Sequence, residues 1–93
     1  MTNFESYAQV RIGFYQARFQ SETNNQLVND FNSLAASRGW TAERSYYTEA
    51  LINELQRRGI DLSAIAETNT DGKILSVRYC RVQYDEKQNA LIL

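Results

Sequence analysis

Polarity alternates along the first part of the chain. Ala8, Val10, Ile12 and Phe14 fall on one parity and Gln9, Arg11 and Gly13 on the other, a period of two that predicts a half-buried strand over 7–19. Past Phe14 the apolar role passes to Tyr15, Ala17 and Phe19 on the opposite parity, so either a bulge near Gly13 or the strand end belongs there. The pattern then changes period. Leu27, Val28, Phe31, Leu34 and Ala35 form one apolar stripe at helical spacing, preceded by Thr23 and Gln26 at the separation of a capping box. Arg38-Gly39 closes this first helix with a cation and a glycine suited to the left-handed region, and Trp40 follows in the link.

Thr41 is placed to cap a second helix, with Glu43 near the positive end of its dipole and Tyr47, Ala50, Leu51 and Leu55 as the inward stripe. Arg57-Arg58-Gly59 ends it, Ile60 is positioned to fold back on the last turn, and Asp61 to cap a short turn through Ala64 and Ile65. Residues 67–72 are a loop. Lys73 to Tyr84, rich in Ile, Leu, Val, Tyr and Cys, predicts a second strand, and the polar turn from Asp85 to Asn89 leads into a third, Ala90-Leu91-Ile92-Leu93. The expected order is β-α-α-β-β. It implies one α+β domain over residues 1–93, with two helices on one face of a three-stranded, mainly antiparallel sheet.

A strand followed by a helix pair is similar in outline to the ribbon-helix-helix repressors, with Ala17-Arg18-Phe19 as the ribbon end and Gly39 to Thr41 as the inter-helix turn. The predicted strand is longer than that ribbon and the C-terminal hairpin has no counterpart, so the resemblance carries no function across.

Composition narrows the chemistry. The 93 residues include no histidine, which excludes Ser-His-Asp and Cys-His nucleophile systems, imidazole bases and His-ligated metal. The single cysteine, Cys80, makes no internal disulfide and suits a reducing compartment, so the expected location is the cytoplasm. Met1 to Ser6 has no basic segment leading into an apolar run, and no stretch is apolar enough to span a bilayer; neither a leader nor a membrane contact is expected. Glu43, Glu49 and Glu54 do not share a helical face and read as solvated surface. Asn69, Asp71 and Gly72 form a turn with too few acids for calcium, and Cys80 is expected as a small buried hydrophobe. No enzyme, metal or cofactor is expected. Trp40 is expected to pack over the end of the helix pair.

Two surfaces remain as candidates. On the predicted sheet Tyr7, Arg11 and Tyr15 face away from the helices, joined from the second strand by Arg78 or Arg81 with Tyr79 or Tyr84 according to its parity, Arg78 and Tyr84 being preferred; flat rings beside guanidinium groups suit protein contacts or, alternatively, unpaired bases and phosphates. The net charge of −1 gives no overall attraction to a polyanion, so the nucleic-acid reading needs a segregated basic patch. The last strand is apolar on both parities, which assigns Leu91 and Leu93 to an interface with a second copy. The sequence therefore points to a small non-enzymatic binding or assembly module, a homodimer with an unspecified protein partner. A nucleic-acid-binding regulator is the alternative.

Overall fold

The computed structural model describes residues 6–93. The segment inspected for a leader lies, apart from Ser6, outside the described residues. Three helices come first, α1 (Tyr7–Gln20), α2 (Asn24–Ala36) and α3 (Ala42–Arg57), followed by β1 (Ala66–Thr68), β2 (Ile74–Val77), β3 (Gln83–Asp85) and β4 (Ala90–Ile92). The α+β class holds. The single three-stranded sheet does not: β1 pairs antiparallel with β2, β3 antiparallel with β4, and the two hairpins are separate sheets.

The first predicted strand is a helix. Ser6 caps α1, its hydroxyl accepting from the Gln9 amide at 3.1 Å, and Ala8, Ile12, Tyr15 and Phe19 then fall at i, i+4, i+7 and i+11 on the inner face. Ile12 and Phe19 are buried against α3, where the Phe19 and Tyr15 rings meet Tyr47 edge to face at 5.1 and 5.2 Å. With no strand there is no ribbon, and the outline shared with the ribbon-helix-helix repressors ends with it.

The other two helices start where their caps dictate, and α2 ends at Ala36 with Ser37 as its extended cap, short of the expected Arg38-Gly39. The Gln26 amide donates to Thr23 Oγ1 (3.1 Å) while the Thr23 amide donates to Gln26 Oε1 (2.7 Å), which completes the capping box of α2. Thr41 Oγ1 accepts from the Arg44 amide at the start of α3. At its end Gly59, at φ +72°, donates to the Gln56 carbonyl and Ile60 donates to that of Leu55, a Schellman turn that folds Ile60 into the core at 4% exposure.

Between the hairpins the predicted long strand is interrupted. Val82 pairs with the side chain of Asn32 on α2, its amide donating to Oδ1 at 2.8 Å and its carbonyl accepting from Nδ2 at 2.9 Å. An amide side chain thus stands in for a neighbouring strand, and residues 78–82 lie along α2 outside either ladder. The C-terminal hairpin is as predicted, with Tyr84 opposite Leu91 and Asp85 opposite Ala90. Asp61 ties it to the end of α3, its amide donating to the Asn89 carbonyl (2.8 Å) and its carbonyl accepting from the Leu91 amide (2.9 Å).

Phe19, Leu27, Phe31, Leu51, Leu55 and Leu91 are the largest fully buried side chains. Leu91 therefore faces this chain's own core, at 2% exposure, and is not placed to meet a second copy; Leu93 is 67% exposed. Leu91→Ala is expected to cost about 2–5 kcal/mol in urea unfolding, and Leu93→Ala less than about 0.5 kcal/mol. Equal losses at the two positions would contradict this packing.

Candidate functional site

Tyr7, Arg11 and Tyr15 are spaced one helical turn apart and so share a flank of α1. That flank runs along the first turn of α3, where Thr41 as cap positions Glu43. Arg11 Nε donates to Glu43 Oε2 at 2.9 Å, Tyr15 Oη donates to the same oxygen at 2.5 Å, and Arg11 Nη2 donates to Tyr15 Oη at 3.3 Å. The Arg11 guanidinium and the Tyr15 hydroxyl hold the Glu43 carboxyl below its ordinary range, and the carboxylate raises the pKa of Arg11 in return. Such a closed triangle clamps α1 to α3. It leaves Glu43 committed to its ion pair instead of serving as a free base.

Beside it lies an open cleft of about 400 Å³ whose walls include Tyr15, Glu43, Tyr47, Leu34 and Arg44. Arg44 closes the end of α2 with its two terminal nitrogens, Nη2 donating to the Leu34 carbonyl (2.9 Å) and Nη1 to those of Ser37 and Gly39 (both 3.2 Å), while its Nε is buried without a partner. Its guanidinium sits 4.8 Å from the Trp40 ring centre. Trp40 does not pack over the core as expected; it is 55% exposed, donates to Ser45 Oγ (2.6 Å) and meets Tyr79 edge on at 5.7 Å.

The remaining sequence candidates lie elsewhere. Arg78 follows β2; its amide donates to the Ile65 carbonyl and its side chain is exposed. Tyr84 Oη accepts from Asn24 Nδ2 (3.0 Å) and donates to Asn89 Oδ1 (2.6 Å), a structural position on β3. No common sheet face carries all five residues. Glu54 also departs from expectation: it is 2% exposed, accepting from Arg57 Nε and Nη2 and from Arg58 Nε. Cys80 is half-buried, and among the described residues no three of Cys, Asp and Glu cluster as metal ligands.

Two features escaped sequence reasoning. Tyr7, Val10 and Phe14 form an outward stripe on α1, exposed by 67, 51 and 56%, with Gly13 and Ala17 on the same side. The signal was their spacing of three and four, hidden because Val10 and Phe14 also fit the alternation. The second is Asp30, on the border of the α2 stripe, whose Oδ2 is buried without a hydrogen-bond partner.

Burial, then the neighbouring Glu22 carboxyl, push Asp30 up to about 7 from an ordinary 3.8, against the pull of Arg18. Burial, and then Asp30 itself, raise Tyr47 to about 12. Because the folded state holds the Asp30 proton more tightly than the unfolded chain, this carboxyl favours folding below pH 3.8 and loses that contribution as pH rises to 7. Asp30→Asn removes the loss. Its melting temperature is expected to exceed the parent's at pH 8 by several degrees, at about 4–8 °C per kcal/mol for a domain of this size, and to match it near pH 4. An equal gain at both pH values would show that the carboxyl does not titrate this way.

Comparison of the chain with protein-family models, with curated proteins and with solved structures found no match, so the function rests on the chemistry of these surfaces.

Proposed function

We propose that this chain is a small, non-enzymatic assembly module of the cytoplasm that forms a homodimer through the outer face of α1. The observation that carries this is the stripe of Tyr7, Val10 and Phe14, three large apolar side chains more than half exposed on consecutive turns of one helix. Three further features favour a second copy as the cover. α1 carries no acidic residue, and its two cations already have partners, Arg11 on Glu43 (2.8 Å) and Arg18 on Glu22 (3.5 Å). Two such faces can therefore meet without like charges opposed. Gly13 sits mid-helix where a Cβ would touch nothing among the described residues; a glycine there costs about 1 kcal/mol of helix stability, and it permits close approach of another backbone. Ala17, one turn on, extends the small-residue path.

The non-enzymatic reading is supported by the way the carboxylates are used. Glu43 and Glu54 are each held by arginine, and Cys80 has no imidazole available to activate it.

Sedimentation velocity at about 1–100 µM is expected to show a monomer–dimer equilibrium that Phe14→Arg shifts at least tenfold toward monomer, with the circular dichroism spectrum unchanged. Leu93→Arg should leave it alone. A parent chain monomeric throughout that range would overturn the proposal, and loss of the dimer with Leu93→Arg alone would move the interface to the C-terminal strand.

A further inference from the structure

We propose that a second surface, centred on Trp40 and Tyr79 and flanked by Arg38, Arg78 and Arg81, binds single-stranded nucleic acid. The inference goes beyond self-association and rests on a different face. It begins with charge. Although the chain as a whole is at −1, residues 31–42 and 73–84 contain Arg38, Lys73, Arg78 and Arg81 and not one Asp or Glu. In the linear sequence these stretches are far apart.

The fold lays one along the other. The Tyr79 ring stacks on Phe31 at 6.1 Å with 21° between planes, the Asn32 amide clamps Val82, and Trp40 closes edge on against Tyr79. These three contacts bring the link after α2 beside the segment between the hairpins; Arg38 lies two residues before Trp40 in that link, and Arg78 and Arg81 lie on either side of Tyr79 in that segment. Glu67, opposite Ser76 in the β1–β2 ladder, is the carboxylate that marks the Arg78 end of the patch.

The cations there are available. Of eight arginines, Arg11, Arg18, Arg57 and Arg58 are in ion pairs with Glu43, Glu22 and Glu54, and the terminal nitrogens of Arg44 are taken by the carbonyls of Leu34, Ser37 and Gly39. Arg38, Arg78 and Arg81 are exposed, and none makes a salt bridge among the described residues. A guanidinium presents a planar fork to phosphate oxygens, which is the geometry a sugar-phosphate backbone needs.

The rings supply what a polyanion alone does not use. Trp40 is 55% exposed yet held in place, its indole N–H on Ser45 Oγ and the Arg44 guanidinium over its ring. A ring fixed before binding loses little entropy when a base stacks on it, and base–aromatic stacking is worth about 1–3 kcal/mol per base. Only an unpaired base offers its face. Single strands are therefore favoured over duplex, in which the bases are already stacked on one another.

Fluorescence anisotropy with a labelled mixed-sequence RNA of about 12 nucleotides, and with the corresponding duplex, tests this on the full chain. Single-strand binding in the micromolar range is expected at about 50 mM salt. With three phosphates neutralised at about 0.7 per contact, it should weaken roughly 20-fold by about 200 mM. Trp40→Ala is expected to weaken binding about tenfold with little change in the salt slope. Arg81→Gln is expected to lower both affinity and slope. Absence of binding at low salt overturns the proposal, as does binding that prefers duplex or is indifferent to Trp40→Ala, since either marks a mere polyanion effect. Phe14→Arg, which acts on the other face, should bind nucleic acid at least as well as the parent; a loss there would overturn the assignment to the Trp40 patch.

Discussion

A buried carboxylate at the end of α3 determines how the three helices meet. Glu54 is 2% exposed, and a lone carboxylate in that position would be costly; it is held by Arg57 and by Arg58, whose Nε donates to it at 2.7 Å. Arg58 does more than neutralise it. Its other nitrogens reach the Phe19 carbonyl at the end of α1 and Asn24 Oδ1 at the start of α2, both at 2.9 Å. Asn24 in turn donates to Tyr84 Oη, Tyr84 to Asn89, and Asn89 Nδ2 to the Gly59 carbonyl just past α3. One chain of hydrogen bonds thus passes through all three helix ends and the C-terminal hairpin. Removing Arg58 takes from the buried Glu54 one of its two guanidinium partners and from Asn24 and the Phe19 carbonyl a donor each, so the network costs more to break there than any single bond in it is worth.

The carboxyls of Glu54 and Asp30 act on stability in opposite directions. Arg57 first, and then Arg58, hold the Glu54 pKa below its ordinary 4.5, so its contribution is complete above that value and is lost in acid. Asp30, without a donor for Oδ2, contributes below 3.8 and loses that contribution on the way to 7. The difference lies in what each faces. Glu54 has guanidinium groups three and four residues on along its own helix, whereas Asp30 meets another carboxyl, that of Glu22.

The parts of the fold legible in the sequence are those whose causes are local. Thr23 with Gln26, Thr41, and Gly59 with Ile60 fix the start of α2 and both ends of α3 through bonds spanning six residues or fewer, and these stand as predicted, whereas α2 stops at Ala36 with an extended Ser37 as its cap, before the expected Arg38-Gly39. α1 misled because it is apolar on two faces: the inner series 8, 12, 15, 19 and the outer series 7, 10, 14 interleave into a false alternation. The length of the stretch, fourteen residues, was the better guide, since strands are commonly about half that. The break at residues 78–82 was invisible for another reason, because Asn32 lies 50 residues away. The grouping of Tyr7, Arg11 and Tyr15 survived the wrong element by arithmetic: steps of four keep one face in a strand and nearly one face in a helix. Leu91 did not survive, because which side of a short apolar strand is buried depends on what packs there.

Arginine is what separates the two surfaces. On α1 a carboxylate stands within reach of each guanidinium, Glu43 across the helix pair from Arg11 and Glu22 one turn from Arg18, so the charge is cancelled and the apolar stripe dominates. The two stretches that carry Arg38 with Trp40 and Arg78 and Arg81 with Tyr79 contain no Asp or Glu, and those arginines make no salt bridge among the described residues. On the two proposals made above, the same side chain leaves a dry, self-complementary contact on one face and a wet, anion-seeking one on the other. α3 touches both regions, packing its Tyr47 side against α1 while Thr41 caps its start just beyond Trp40.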